Sequence, residues 1–238
     1  MTKQSILEFV NYFFNLFHLS VKRYPSREQR RLIRYLKNNH VDYVLDVGAN
    51  VGQFATHLFR HGYQGKIFSF EPQSLAFKKL SKKANQQNWI AINKGLGEVE
   101  TKLTINNAAN SVSSSILPIL SEHTAVAKES VYVNSEEIVI STVDIFLREN
   151  NIAPEQVFLK IDTQGYENMV LNGASNSLHA IKVLQVEMSL TPLYEGEILF
   201  DELKKKIESF GFALAAVESG LANEQTGKLL QLDAIFIK

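Results

Sequence analysis

No cysteine occurs among the 238 residues. That excludes disulfides, a thiol nucleophile and cysteine-ligated zinc together, and it makes the cytosol the default compartment. An excess of charge is also missing, because 25 Lys and Arg balance 25 Asp and Glu. A general nucleic-acid binder carries a basic surplus, so no nucleic-acid partner is expected. No run of about 20 apolar residues is present, and no membrane-spanning helix is expected. What remains is a chain with 45% apolar residues, long enough for one sizeable α/β domain with a real core.

The N-terminus lacks both the unbroken apolar stretch and the small-residue cleavage site of a secretory signal. Between Ile6 and Leu19 four phenylalanines occur, while Gln4, Glu8, Asn11, Asn15 and His18 recur at helical spacing. The pattern predicts an amphipathic helix. Its apolar face can pack on its own domain, on a twin subunit (a route to an oligomer), or in the plane of a membrane. In the last case the protein would sit at the inner face of the membrane. Ser26-Arg-Glu-Gln29 reads as a capping box that starts a second helix after Pro25. Arg23, Arg27, Arg30, Arg34 and Lys37 follow along one side, either as a solvated face or as a contact to anionic headgroups or an acidic glycan. Residues 1–38 are thus expected to form N-terminal helices, and 39–238 the main domain.

From residue 40 strands and helices alternate, which implies a largely parallel sheet. Tyr43–Val47 reads as a strand, and Gln53 to His61 as a helix burying Phe54, Ala55, Leu58 and Phe59. Lys66–Phe70 reads as the next strand. A helix from Gln73 to Asn85 is expected to bury Leu75, Ala76, Leu80 and the stem of Lys79. Trp89 to Asn93 and Lys102 to Ile105 are further strands, and residues 121–137 read as an irregular loop or lid. Thr142 is expected to cap a helix through Arg148. Val157 to Asp162 and Val183 to Glu187 complete the parallel set. Phe200 to Gly211 is a helix, and the strands Phe212 to Val217 and Leu230 to Lys238 form a terminal hairpin, the last strand inserted antiparallel. The whole is a Rossmann-like, seven-stranded, mostly parallel sheet with an antiparallel C-terminal strand.

The chemistry concentrates at strand ends. After the first strand, Gly48 and Gly52 let a ligand approach the backbone, and the helix opening at Gln53 and Phe54 aims free N–H groups at the same place. One strand later Glu71, followed by Pro72, is positioned to accept hydrogen bonds from both ribose hydroxyls. A dinucleotide turn needs glycines at its first, third and sixth positions, yet Asn50 holds the third. Asp46 would repel a diphosphate and attract a cationic amino-acid group. S-adenosylmethionine, carrying a sulfonium and an ammonium, fits better than NAD. Asp46, Glu71, Asp162 and Glu187 all fall at strand carboxyl ends, which meet at one crevice in an open α/β sheet. The Asn110–Ser115 run serves as a turn or faces a polar ligand.

The segments LDVGANVGQFA (45–55), SFEPQS (69–74), NSVSSSI (110–116), LKIDTQGYE (159–167), LQVEMSLTPLYEG (184–196) and TGKLLQLDAIF (226–236) together resemble the FkbM family of class I, S-adenosylmethionine-dependent methyltransferases. The resemblance runs from residue 23 onward. Glu98 departs from it where many members carry Asp, which keeps the charge. The resemblance implies methyl transfer to oxygen, with sugars, polysaccharides, glycolipids and related natural products as acceptors. It implies cofactor contacts from Asp46, Gly48, Asn50, Gly52, Gln53, Phe54, Glu71, Pro72, Gly95, Ser113 and Asp162. Asp162 is the candidate base, with Glu187 and Glu167 orienting the acceptor's hydroxyls. The same three acids would suit a divalent cation through oxygen ligands, but no metal ligand is assigned. His57 and His123 are alternative bases, His57 on the solvated side of its helix. A nicotinamide-dependent oxidoreductase and a non-catalytic binding module of the same fold are the rival readings.

Overall fold

The computed structural model describes residues 2–21, 25–84 and 88–238. Arg23 of the basic row and Asn85 at the end of an expected helix lie outside them. The first helix, α1 (Lys3–Asn15), starts three residues before the apolar run and stops four residues short of Leu19. In α2 (Arg27–Asn38) the capping box forms as expected: Ser26 accepts from the Gln29 backbone, and Gln29 reaches back to the Ser26 N–H.

Beyond it, β1 (Tyr43–Val47), α3 (Gln53–Arg60), β2 (Lys66–Phe70), α4 (Ser74–Lys83) and β3 (Trp89–Ile92) form one half of the main sheet. The other half comprises α6 (Val143–Glu149), β7 (Val157–Ile161), α7 (Glu167–Asn172), β8 (Val183–Ser189), α8 (Phe200–Ser209), β9 (Ala213–Ser219) and β10 (Gln231–Ile237). Between the halves stand β4 (Gly95–Leu96), β5 (Thr101–Ala108), α5 (Ser121–Val126) and β6 (Tyr132–Ser141). The strand order is β3-β2-β1-β7-β8-β10-β9, with β10 antiparallel to both neighbours and the remaining pairs parallel. This is the seven-stranded sheet with a reversed terminal strand that the sequence predicts. A second sheet, β4-β6-β5, stands beside it.

Side-chain alternation splits the core into two layers. One face of the sheet buries Val44, Ile67 and Phe158 against Leu32 and Leu36 of α2, Ala55 and Leu58 of α3, and Leu80 of α4. The other buries Leu45, Phe70, Leu159 and Val186 against α6, α7 and α8. Helices on both faces explain why β7 is buried along its whole length. Since α2 shares this core, it is part of the sheet's helix layer.

Two expectations fail. Leu75 and Lys79 are exposed, while Phe77 packs inward; the buried stripe runs through Ala76, Phe77 and Leu80, one position round the helix from the row expected. Residues 121–137 are ordered rather than a loop or lid: α5 and a 3₁₀ turn lead into β6, which pairs with β5 over eight registered positions from Thr101↔Ile140 to Ala108↔Tyr132.

Candidate active site

Strand β1 delivers the chain to Gly48, whose φ is +78°. A Cβ there would stand 1.7 Å from the Asp162 carbonyl oxygen, so only glycine lets the β1 turn pass under the end of β7. The carboxyl ends of β1, β2, β7 and β8 open into one cavity of about 560 Å³. Of the residues singled out from sequence, Gly48, Asn50, Gln53, Phe54, Glu71, Pro72, Gly95, Ser113, Asp162 and Glu187 line it.

Three others do not, each for a physical reason. Asp46 is fully buried beneath the turn, accepting from Ser69 Oγ at 3.1 Å and facing Lys160 Nζ at 3.4 Å. It therefore meets a lysine of its own chain rather than a ligand. Gly52 serves packing, since a Cβ would fall 2.7–2.9 Å from Trp89 and Leu80 side-chain atoms. Glu167 turns its carboxylate back on its own loop, accepting from the N–H groups of Thr163 (2.8 Å) and Gly165 (3.2 Å). It braces the turn that carries Asp162 and does not reach the cavity.

At the β1–β2 end, Glu71 is buried and already engaged on both oxygens. Oε2 accepts from the Asn50 N–H at 2.7 Å and Oε1 from the Gln73 N–H at 2.8 Å. Each oxygen retains a further lone pair for a ligand hydroxyl. Burial pushes the Glu71 carboxyl up to about 7 despite those two hydrogen bonds. Asn50, at φ +48°, reaches Ser111 Oγ at 3.1 Å, and Gln73 reaches the Ser111 carbonyl at 3.1 Å. The serine-rich segment is thus a 3₁₀ turn tied over the cavity. Within it the Ser113 hydroxyl accepts from Ser130 at 2.8 Å.

The β7–β8–β10 end holds residues that the sequence reading passed over. Lys160 is buried and lies between Asp46 and Asp162, 3.1 Å from Asp162 Oδ2. Burial pulls its pKa down, but Asp162 and Asp46 outweigh that and hold the ammonium above the ordinary lysine range. Gln164, in the left-handed region at φ +56°, donates to Asp162 Oδ1 at 3.0 Å and Glu187 Oε2 at 2.5 Å. Its own carbonyl oxygen accepts from the Tyr194 hydroxyl at 2.7 Å, which fixes the amide's orientation. Asp233 stands opposite Glu187 in the β8–β10 register and accepts from Gln185 at 3.2 Å. Gln231 donates to Glu187 at 3.2 Å. Burial, then the charges of Asp162, Glu167 and Asp233, hold Glu187 well above the usual carboxylate range.

Registration makes these groups a continuous polar row. Ser69, Asp46, Lys160 and Gln185 pair in sequence across β2, β1, β7 and β8. Trp89 Nε1 donates to Ser69 Oγ at 3.0 Å at one end, and Lys160 hands the row on to Asp162 at the cavity. The register could have revealed Lys160. A lysine inside an apolar strand, two residues before an acid and level with Asp46, must find a carboxylate when buried.

Both alternative bases line the cavity. His57 is exposed, as expected. His123 is buried with its ring edge-on to Tyr194 at 5.2 Å, and burial lowers its pKa. Among the described residues, no group of three or more His, Cys, Asp or Glu side chains is arranged to hold a metal ion.

A Rossmann-like sheet of this order, with a reversed terminal strand and a carboxylate at the end of β2, is the architecture of the class I methyltransferases. Residues 46–214 match the methyltransferase FkbM domain, and the chain belongs to that family. It is an S-adenosylmethionine-dependent methyltransferase, which sets the nicotinamide reading aside. No curated protein matches the sequence. Among solved structures, the chain is similar to an rRNA methylase from Streptococcus thermophilus, at 13% identity, 92% and 99% coverage of the two chains and a TM-score of 0.48. It is also similar to the 1,6-didemethyltoxoflavin-N1-methyltransferase of Burkholderia thailandensis with 1,6-didemethyltoxoflavin and S-adenosylhomocysteine bound, at 10% identity, 89% and 77% coverage and a TM-score of 0.46. The cavity suits the cofactor. Its volume falls within the range of about 300–1,000 Å³ usual for ligand sites. Glu71 presents a carboxylate with free lone pairs, and Leu96, Ile138 and Ile140 supply apolar wall.

Proposed function

We propose that the protein methylates a hydroxyl oxygen of a sugar, polysaccharide, glycolipid or related natural product. The observation that carries this reading is the cluster of Asp162, Glu187 and Asp233 with the amides of Gln164, Gln185 and Gln231 at one end of the cavity. Carboxylates and amides at close range recognise an acceptor rich in hydroxyls. The chain's zero formal charge does not favour a polyanionic acceptor such as nucleic acid. The unit responsible runs from α2, whose leucines share the core, through β10.

S-adenosylmethionine, when bound, supplies an electrophilic methyl on a sulfonium. Glu71 holds the ribose hydroxyls, while Gly48, Asn50, Gln53, Phe54, Pro72, Gly95 and Ser113 shape the remainder of that half. The Asp162 carboxylate takes the proton from the acceptor hydroxyl as that oxygen becomes the nucleophile. Lys160 and Gln164 aim one Asp162 oxygen each. Glu187, held on Oε2 by Gln164 and Gln231, keeps its other oxygen for a neighbouring hydroxyl and orients the sugar.

Methyl-labelled S-adenosylmethionine offered with a panel of glycans and glycolipids tests the reaction. The expected product carries the labelled methyl group on an ether oxygen. Label on nitrogen, or cofactor binding with no transfer to any hydroxylated acceptor, would overturn the reading; the latter outcome describes a binding module.

Glu71 yields a separate expectation. Ribose hydroxyls donate to the ionised carboxylate, and these charge-assisted bonds are worth about 1.5–3 kcal/mol in total. Glu71→Ala should loosen S-adenosylhomocysteine by roughly 10–100-fold in calorimetry. Because the carboxyl ionises near pH 7, raising the pH through that value populates the form that binds. Wild-type affinity should therefore rise about tenfold between pH 6 and 8, and Glu71→Gln should flatten the profile. Unchanged affinity in Glu71→Ala would remove this residue from the site.

A further inference from the structure

We propose that α1 and the basic side of α2 together dock the protein on an anionic lipid bilayer, a role separate from the methyltransferase cavity. On α1, Phe9, Tyr12 and Phe13 are 59%, 70% and 51% exposed, and Phe17 just beyond it is 72% exposed. Large aromatics left in water across a whole helix call for a cover. The polar side is engaged locally: Asn11 Nδ2 donates to the Val21 carbonyl at 2.9 Å, and its Oδ1 accepts from the Val21 N–H at 2.6 Å. At 100° per residue the apolar positions of α1 span about 200° of its circumference, twice the stripe of about 100° that a packed surface helix buries. A face of that width suits insertion at a bilayer interface, where lipid can cover every side of it.

The second helix supplies the charge that α1 lacks. The sequence of α2 holds five cations against the single acid Glu28. Arg31 pairs with Glu218 at 2.9 Å, but among the described residues Arg27, Arg34 and Lys37 take part in no ion pair. Two shallow depressions flank this side of α2. Arg30 and Arg34 line both, with Lys37 in one and Arg27 in the other. Concave clusters of arginine are shaped for phosphate oxygens. Only the eleven residues 16–26 separate the two helices, so both can meet one membrane. The same charge argues against a second copy of the chain, because a twofold contact through these helices would offer only Glu8 and Glu28 to answer the cations of α2.

Co-sedimentation of the full chain with vesicles tests the proposal. Vesicles of phosphatidylcholine and phosphatidylglycerol in equal parts should pull the protein down at low salt, and pure phosphatidylcholine should do so far less. Replacing Arg27, Arg34 and Lys37 by Gln should weaken partitioning by about 100-fold, and raised salt should act in the same direction. Phe9→Asp with Phe13→Asp should abolish it. Neither set lines the cavity, so both should bind S-adenosylhomocysteine as the unaltered chain does. No sedimentation with the mixed vesicles, or sedimentation unaffected by either set, would overturn the proposal. So would a dimer in light scattering that the Phe9 and Phe13 substitutions dissociate without any vesicle binding.

Discussion

Asp162→Asn should lower turnover by about 10²–10⁴-fold, the range a positioned general base supplies, while S-adenosylhomocysteine binds within a few-fold of normal. The side chain keeps its size but loses the basic oxygen. Its surroundings sharpen the expectation. Asp162 accepts from Lys160 on one oxygen and from Gln164 on the other. Gln164 cannot turn its amide over without abandoning both Glu187 and the Tyr194 hydroxyl. An asparagine must therefore place its own NH₂ against a donor on one side, which costs some stability as well as the base. Single-turnover rates separate these effects, since a folding defect lowers the active fraction without changing the rate of the chemical step. Transfer within tenfold of wild type would move the base elsewhere, and His123 is the next group to test.

Lys160→Met should cost a large share of the fold's stability. Asp46 is fully buried, and Lys160 is the cation beside it. Removing one partner of a buried pair strands the other charge and costs about 3–5 kcal/mol, or a fall in Tm of roughly 10 °C. Burial already raises the pKa of Asp46. Without the lysine that pKa rises further, so the deficit is fully present above the new folded value and shrinks as pH falls through it. Asp46→Asn combined with Lys160→Met should recover most of the loss, because neither charge of the pair is left stranded. A loss below about 1 kcal/mol, the size of an exposed pair, would mean that water reaches the row.

The frame of this fold is legible because its signals are local. Ser26 and Gln29 cap α2 through a four-residue motif, and β1 and β2 have the bounds that their apolar runs suggest. The reversed strand β10 follows from a hairpin whose turn contains Gly227. Distant pairing was harder to see. In β6 only Ile138, Ile140 and Ser141 are buried, so most of that strand has no apolar alternation, and its partner β5 lies more than twenty residues earlier. At the cavity, residue type told more than direction. Asp46 and Glu167 are acids at strand ends or turns, as Asp162 is, yet one turns under the sheet to Lys160 and the other back on its own loop. Which way a carboxylate points depends on cross-strand register and on backbone turns such as Gln164–Gly165, both in the left-handed region. Neither is written in the spacing of acids along the chain.

The central claim is that one cavity places a methyl donor between Glu71 and Asp162, and a crystal structure with S-adenosylhomocysteine bound tests it most directly. Both ribose hydroxyls should lie within hydrogen-bond reach of Glu71, about 2.6–3.2 Å. The sulfur should face the side of the cavity where Asp162 and Glu187 stand, with room for an acceptor oxygen between. A ribose away from Glu71, or a sulfur pointing away from Asp162, would contradict the account.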